Sequence, residues 1–206
     1  MATQTSSAHF FLSWAKERID EMDATLASLE NKSAQLQAET RVKADEFMTG
    51  MKKKRDEFEA AVKKEAQIGE AAIERAKERL EADWKSFEAK TKVYLETFSK
   101  SVEQEQEVFQ SQVTAQLSSW RETADKLNAA SKEFAVERRR EIDATVSRMK
   151  TDAATAEKKL QELAHAGTES WAALNSALAE TRATFDRANQ AAREAFKRAV
   201  SSNPAQ

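Results

Sequence analysis

Three glycines and one proline in 206 residues leave this chain with almost nothing to interrupt a helix. Gly breaks helices by conformational freedom, Pro by its missing N–H and its ring. Where both are this sparse, long helices are the default and the side-chain pattern decides how they pack. Phe87, Phe98, Phe109 and Trp120 stand 11 residues apart in one uninterrupted stretch. Eleven residues is about three turns, so each step drifts only about 20° and all four rings share a face. Phe47 to Phe58 and Phe185 to Phe196 repeat the step. A spacing of 14 residues interlocks with it in Trp84–Phe98, Trp120–Phe134 and Trp171–Phe185.

Composition fits the same picture. Charged residues make up 33% of the chain and mean hydropathy is −0.73, as in long-helix proteins. The hydrophobic fraction of 40% is inflated by Ala, so narrow seams between helices suit it better than one thick core. Lys+Arg 33 against Asp+Glu 35 gives a net charge of −2, which argues against nucleic acid as a partner. Without Cys there is no disulfide, thiolate metal site or cysteine nucleophile. The N-terminus lacks an early positive charge, and its apolar run, Phe10 to Leu12, is too short for a secretory signal. No stretch approaches the roughly 20 apolar residues of a membrane span. These features predict a cytoplasmic protein.

The first helix is expected to follow a disordered leader, residues 1–7, with Ser6 or Ser7 as its N-cap. Leu12, Ala15, Ile19, Met22, Leu26, Leu29, Ser33 and Leu36 then alternate by threes and fours, a coiled-coil seam with one polar interruption. It resumes as Phe47, Met51, Phe58, Val62 and Ile68, with Gly50 read as a kink and Gly69 as a turn. From about Glu70 to Asn128 the ladder predicts one helix, on the order of 70–80 Å long. Its stripe takes in Ile73, Leu80, Tyr94, Leu95, Val102, Val113 and Leu117, and leaves out Val93 and Val108. A third segment carries Phe134, Val136, Ile142, Val146, Met149, Leu160 and Leu163. Gly167 and Thr168 are then expected to end one helix and cap the last, which runs from about Glu169 to Val200 before a disordered tail, 201–206.

Catalysis has little to draw on. His9 and His165 lack triad spacing, and no HExxH, no two E-x-x-H motifs to form a di-metal pair, no phosphate loop and no nucleophile elbow occur. The sequence therefore predicts no enzyme, no cofactor and no metal. The basic runs Lys52–Arg55 and Arg138–Arg140 are interleaved with acids at helical spacing and read as solvated, ion-paired faces. The ladder has three readings: an interhelical core, a surface inserted into lipid or a hydrophobic granule, or a groove for partner helices. Core comes first, because interfacial helices carry a broad Leu-rich face flanked by bases, whereas Leu is modest here. As a candidate interaction face the ladder comprises Trp84, Phe87, Phe98, Phe109, Trp120, Phe134, Trp171, Phe185 and Phe196.

The C-terminal run LQELAHAGTESWAALNSALAETRATFDRA places a small-residue turn before a Trp and Leu/Ala steps before a Phe. With the charged Ala-rich helices before it, it resembles the stress-responsive coiled-coil proteins first recognised in cyanobacteria. The resemblance implies a bacterial cytoplasmic protein linked to stress, with no catalytic residues. In composition the chain is also similar to phasin-like granule proteins. The expected architecture is a single all-α domain, 1–206, an elongated antiparallel bundle or coiled coil of three or four long helices completed by self-association. The expected function is that of a scaffold binding itself or a helical partner. The competing expectation is a peripheral lipid or polymer-granule binder of the phasin or apolipoprotein type.

Overall fold

The computed structural model describes residues 2–67, 70–99, 102–166 and 170–201. They form six α-helices: α1 (Ala2–Ser33), α2 (Ala38–Glu65), α3 (Glu70–Phe98), α4 (Val102–Ser131), α5 (Val136–Ala166) and α6 (Trp171–Ser201). Each runs for 28 to 32 residues, about 45 Å at 1.5 Å per residue. No strand occurs among the described residues, so the chain is all-α.

Six helices replace the expected three or four, because the first expected segment breaks between Ser33 and Ala38 and the second between Phe98 and Val102. The ladder does not lie on a single long helix, because α3 ends at Phe98 and α4 begins at Val102. Phe87 and Phe98 belong to α3, Phe109 and Trp120 to α4. Restarting the helix resets its phase, which is why Val108 is buried and Val102 exposed, the reverse of the continuous stripe. The N-terminal expectation also changes. α1 takes in residues 2–7, and Ser7 is buried rather than capping. Leu12 is exposed, while Ala15, Met22, Leu26 and Leu29 keep the seam. α2 runs through Gly50 without interruption. Gly69, Gly167 and Thr168 and the tail beyond Ser201 lie outside the described residues. α6 is capped at Ser170, whose Oγ accepts from the Ala173 N–H at 3.4 Å.

α1 is the hub, packing on α2, α3, α4 and α6; α4 packs on α1, α5 and α6; α2 lies on α3, and α5 on α6. Paired residues across α1 and α4 run in opposite order: Lys16–Glu122, Asp20–Ser119, Thr25–Gln112, Lys32–Glu107. Across α5 and α6, Glu141–Arg198 and Lys159–Glu180 do the same.

Two apolar clusters fill the interior. One joins α1, α2 and α3 to parts of α4, α5 and α6 around Trp14, Met22, Phe58, Trp84, Phe87 and Phe109. The other lies between α4, α5 and α6 around Trp120, Ile142, Met149, Phe185 and Phe196, with Phe10 added from α1. Buried Ala15, Ala44, Ala124 and Ala192 let the backbones approach, so the high Ala content is spent on close packing.

Candidate functional site

The ladder sits inside. Trp84, Phe87, Phe98, Phe109, Trp120, Trp171, Phe185 and Phe196 are buried and Phe134 is half-buried. Trp84 stacks on Phe87 at 6.0 Å, Trp120 meets Phe185 edge-on at 5.5 Å, and Phe196 contacts both Phe10 and Phe134. Such pairs add roughly 0.5–1.5 kcal/mol beyond area burial. In this conformation none of the eight buried rings offers a free surface, and their cover is the chain's own helices. The basic runs are ion-paired: Lys53 and Lys54 to Glu57, Arg55 to Glu59 and across to Asp23 on α1, Arg139 to Asp143. His9 lies within α1 rather than in a leader; burial, then the charge of Lys126, lowers its pKa.

The densest concentration of unusual chemistry is a charged cluster in the middle of the bundle. α1 is covered from several sides, so its polar residues are forced inward along with its seam. Glu17, Arg18 and Glu21 are 0%, 1% and 0% exposed, and Arg182 on α6 is 5% exposed. Arg18 donates to Glu17 at 3.0 Å, to Glu81 of α3 at 3.2 Å, and through both terminal nitrogens to Asp186 of α6 at 3.1 and 2.8 Å. Arg182 forks onto Glu21 at 3.0 and 3.2 Å and pairs with Glu88 of α3 at 3.0 Å. Each guanidinium also lies over an indole: Arg18 at 4.5 Å from the Trp14 ring centre, Arg182 at 4.7 Å from that of Trp84. Planar cations suit this double duty of forked hydrogen bonding and stacking.

Five carboxyl groups surround two guanidinium groups, so acid is in excess. Burial pushes the Glu17 carboxyl up to about 8, opposed by Arg18 and reinforced by Glu21. Glu88 is likewise raised, first by burial, against the pull of Arg182. Arg182 is raised despite its burial, because Glu21 and Glu88 favour its charge. Glu17 Oε1 finds no protein partner. The cluster meets the surface at a cleft of about 380 Å³ lined by Glu74, Lys77, Glu78, Glu81 and Asp186 among others. A wider groove of about 530 Å³ runs between α4 and α5, floored by Val113 and Leu117 with His165 at its edge. Among the described residues no group of three or more His, Asp or Glu is placed to hold a metal ion. The carboxylates converge on arginines instead of on one another.

Sequence reasoning missed this cluster. One signal was available: Glu74, Glu81 and Glu88 stand seven residues apart on α3, two turns per step. They meet Arg193, Arg18 and Arg182 in that order. No signal marked Glu17, Arg18 and Glu21 for burial, because that follows from how many neighbours α1 collects. Among the described residues no helix is long and apolar enough to cross a membrane. The chain matches no model of a known protein family, no curated protein and no solved structure.

Proposed function

We propose that this protein is a non-enzymatic helical scaffold, an elongated antiparallel bundle that acts through its outer, ion-paired faces on helical partners or further copies of itself. One observation carries the reading. The centre of the strongest cluster of ionisable groups is enclosed, with Glu17, Arg18, Glu21 and Arg182 nine-tenths or more buried and held in ion pairs, and only its rim, Glu81 and Asp186, reaches a surface cleft. Groups so enclosed hold helices together and do not meet a substrate. The aromatic ladder is likewise engaged internally, which leaves the alternating acids and bases of the surface as the contact chemistry.

A stress-associated role in a bacterial cytoplasm belongs to the same proposal and rests on the resemblance of the C-terminal run. Light scattering coupled to size exclusion, with small-angle X-ray scattering, tests the scaffold reading. The expected result is an elongated particle whose mass rises with concentration or with a helical partner. A compact monomer that never associates would sink it. Liposomes and polymer granules provide the competing arm: pelleting with a blue shift of Trp fluorescence would move the assignment to a peripheral surface binder.

A further inference from the structure

The two halves of the chain match at a fixed offset. Phe11 and Phe109, Ser33 and Ser131, Asp45 and Asp143, Phe87 and Phe185, and Phe98 and Phe196 are each 98 residues apart. Structure makes the match physical. Ser33 ends α1 and donates to Asp45 at 2.6 Å; Ser131 ends α4 and donates to Asp143 at 2.8 Å. Asp45 is paired with Arg41 and Asp143 with Arg139, again at that offset. Helix contacts repeat as well: α1 on α2, α2 on α3 and α1 on α3 correspond to α4 on α5, α5 on α6 and α4 on α6. A chance likeness of helical sequences would not rebuild the same hydrogen bond at the same helix end.

Where equivalent positions meet marks a symmetry axis. Across α1 and α4, Asp20 contacts Ser119, within one residue of the offset. On the far side, Trp84 and Arg182 are 98 apart and stack on each other. An axis through these two points would exchange the halves, as in a twofold dimer, an approximate symmetry because α1 packs on α6 more closely than α4 does on α3. In a true homodimer, identical side chains face each other there. Here they differ: Arg182 lies over Trp84, and Glu17, Arg18 and Glu21 of α1 answer to Ala115, Gln116 and Ser119 of α4.

We infer that the chain is a tandem duplication of one three-helix unit folded about a pseudo-twofold axis, and that the charged cluster on this axis is a lock that makes unlike halves pair. Two first halves together would bring Glu21, Glu81 and Glu88 against their own kind without Arg182. Two second halves would set Arg182 against Arg182. Like charges buried face to face are strongly disfavoured, so the lock works by excluding wrong pairs as much as by binding right ones. The contrast is open only to a fused chain, whose halves diverge independently.

A protease recognition sequence introduced between Phe98 and Val102 of the full chain allows the folded protein to be cut, and native mass spectrometry then identifies the pairs. After incubation in denaturant mild enough to permit exchange, unlike pairs should exceed like pairs by about tenfold or more. A second chain carries Glu17→Ala, Arg18→Gln, Glu21→Ser and Arg182→Trp, each the residue found at the equivalent position. It should fold, and after cutting its pairing should fall toward the statistical mixture. Cut wild-type halves that separate, or that mix at random, overturn the inference. So does a symmetrised chain that keeps the tenfold preference, and one that fails to fold shows that the positions are not equivalent.

Discussion

α1 and α4 occupy corresponding places in the two halves and bury opposite chemistries. α1 turns Glu17, Arg18 and Glu21 into the interior, whereas α4 turns in Gln116 and Ser119, with Trp120 against Phe185. The α4 side closes by apolar contact: Trp120, Leu127, Ile142, Met149 and Phe185 are essentially inaccessible. Facing α6, α1 instead closes with α3 across paired charges. Equal geometry thus admits two means of closure. Apolar closure supplies stability directly, at roughly 25 cal/mol per Å² removed from water. Ionic closure roughly offsets its own desolvation and contributes discrimination.

The largest effects test that contrast. Trp120→Ala should cost about 3–5 kcal/mol in urea unfolding, by lost burial and a residual cavity. Arg182→Ala should cost about as much, since it strands Glu21 and Glu88. The two sides should part when whole sets are replaced. Glu21→Met, Glu88→Leu and Arg182→Met together should be neutral or stabilising by about 1–4 kcal/mol. If the triple change costs as much as Arg182→Ala alone, the ionic side is a net source of stability and the contrast collapses.

A middling effect comes from pH. In the folded state the Glu17 carboxyl titrates near 8, against 4.5 for its ordinary value. Between these values the native state retains a proton that the unfolded chain has released. The associated stability is therefore complete below about pH 4.5 and declines as pH rises through about 8. Burial raises Glu88 in the same direction. Melting temperature should fall from pH 6 to pH 8, and Glu17→Gln should flatten much of that slope. An unchanged slope in Glu17→Gln would assign the dependence elsewhere.

Smaller still, Gly50 on α2 corresponds to Arg148 on α5. A Cβ at Gly50 would meet only Lys90 Nζ, at 3.9 Å, an ordinary contact. Gly50→Ala should therefore stabilise by about 0.5–1 kcal/mol, read as a higher denaturant midpoint at constant slope. At the surface, Lys150 pairs with Asp125 at 2.7 Å, both exposed. Lys150→Ala should stay within about 0.5 kcal/mol of wild type.

Much of the fold was legible because helix periodicity is local. Sparse breakers, the 11- and 14-residue steps and the basic–acidic interleaving identify helices and most of their inward positions. Three things were not legible, each for a physical reason. The break after Phe98 carries neither Gly nor Pro; Ser99 ends α3 with a last N–H bond to Leu95, so punctuation by residue type misses it. Burial of Glu17, Arg18 and Glu21 depends on α3 and α6, far along the chain. The offset of 98 was in plain view at Phe87–Phe185 and Phe98–Phe196, but shorter periods within each helix mask it. Its firmest marks are polar helix-end residues, Ser33 and Ser131, which a search for apolar seams passes over.

The central position of α1 has a consequence for how the protein is made. Arg18 finds Asp186 only 168 residues further on, and Glu21 finds Arg182 after 161. At typical ribosomal speeds the wait is on the order of 10–30 s. In the later part of that interval, once Phe98 has been added, α1, α2 and α3 are complete in length yet lack the guanidinium that settles Glu21 and Glu88. The first half therefore emerges unfinished, and its ionic side closes only once α6 has been made. A ribosome that stalls before Arg182 leaves Glu21 and Glu88 without their guanidinium, while Arg18 still serves Glu17 and Glu81.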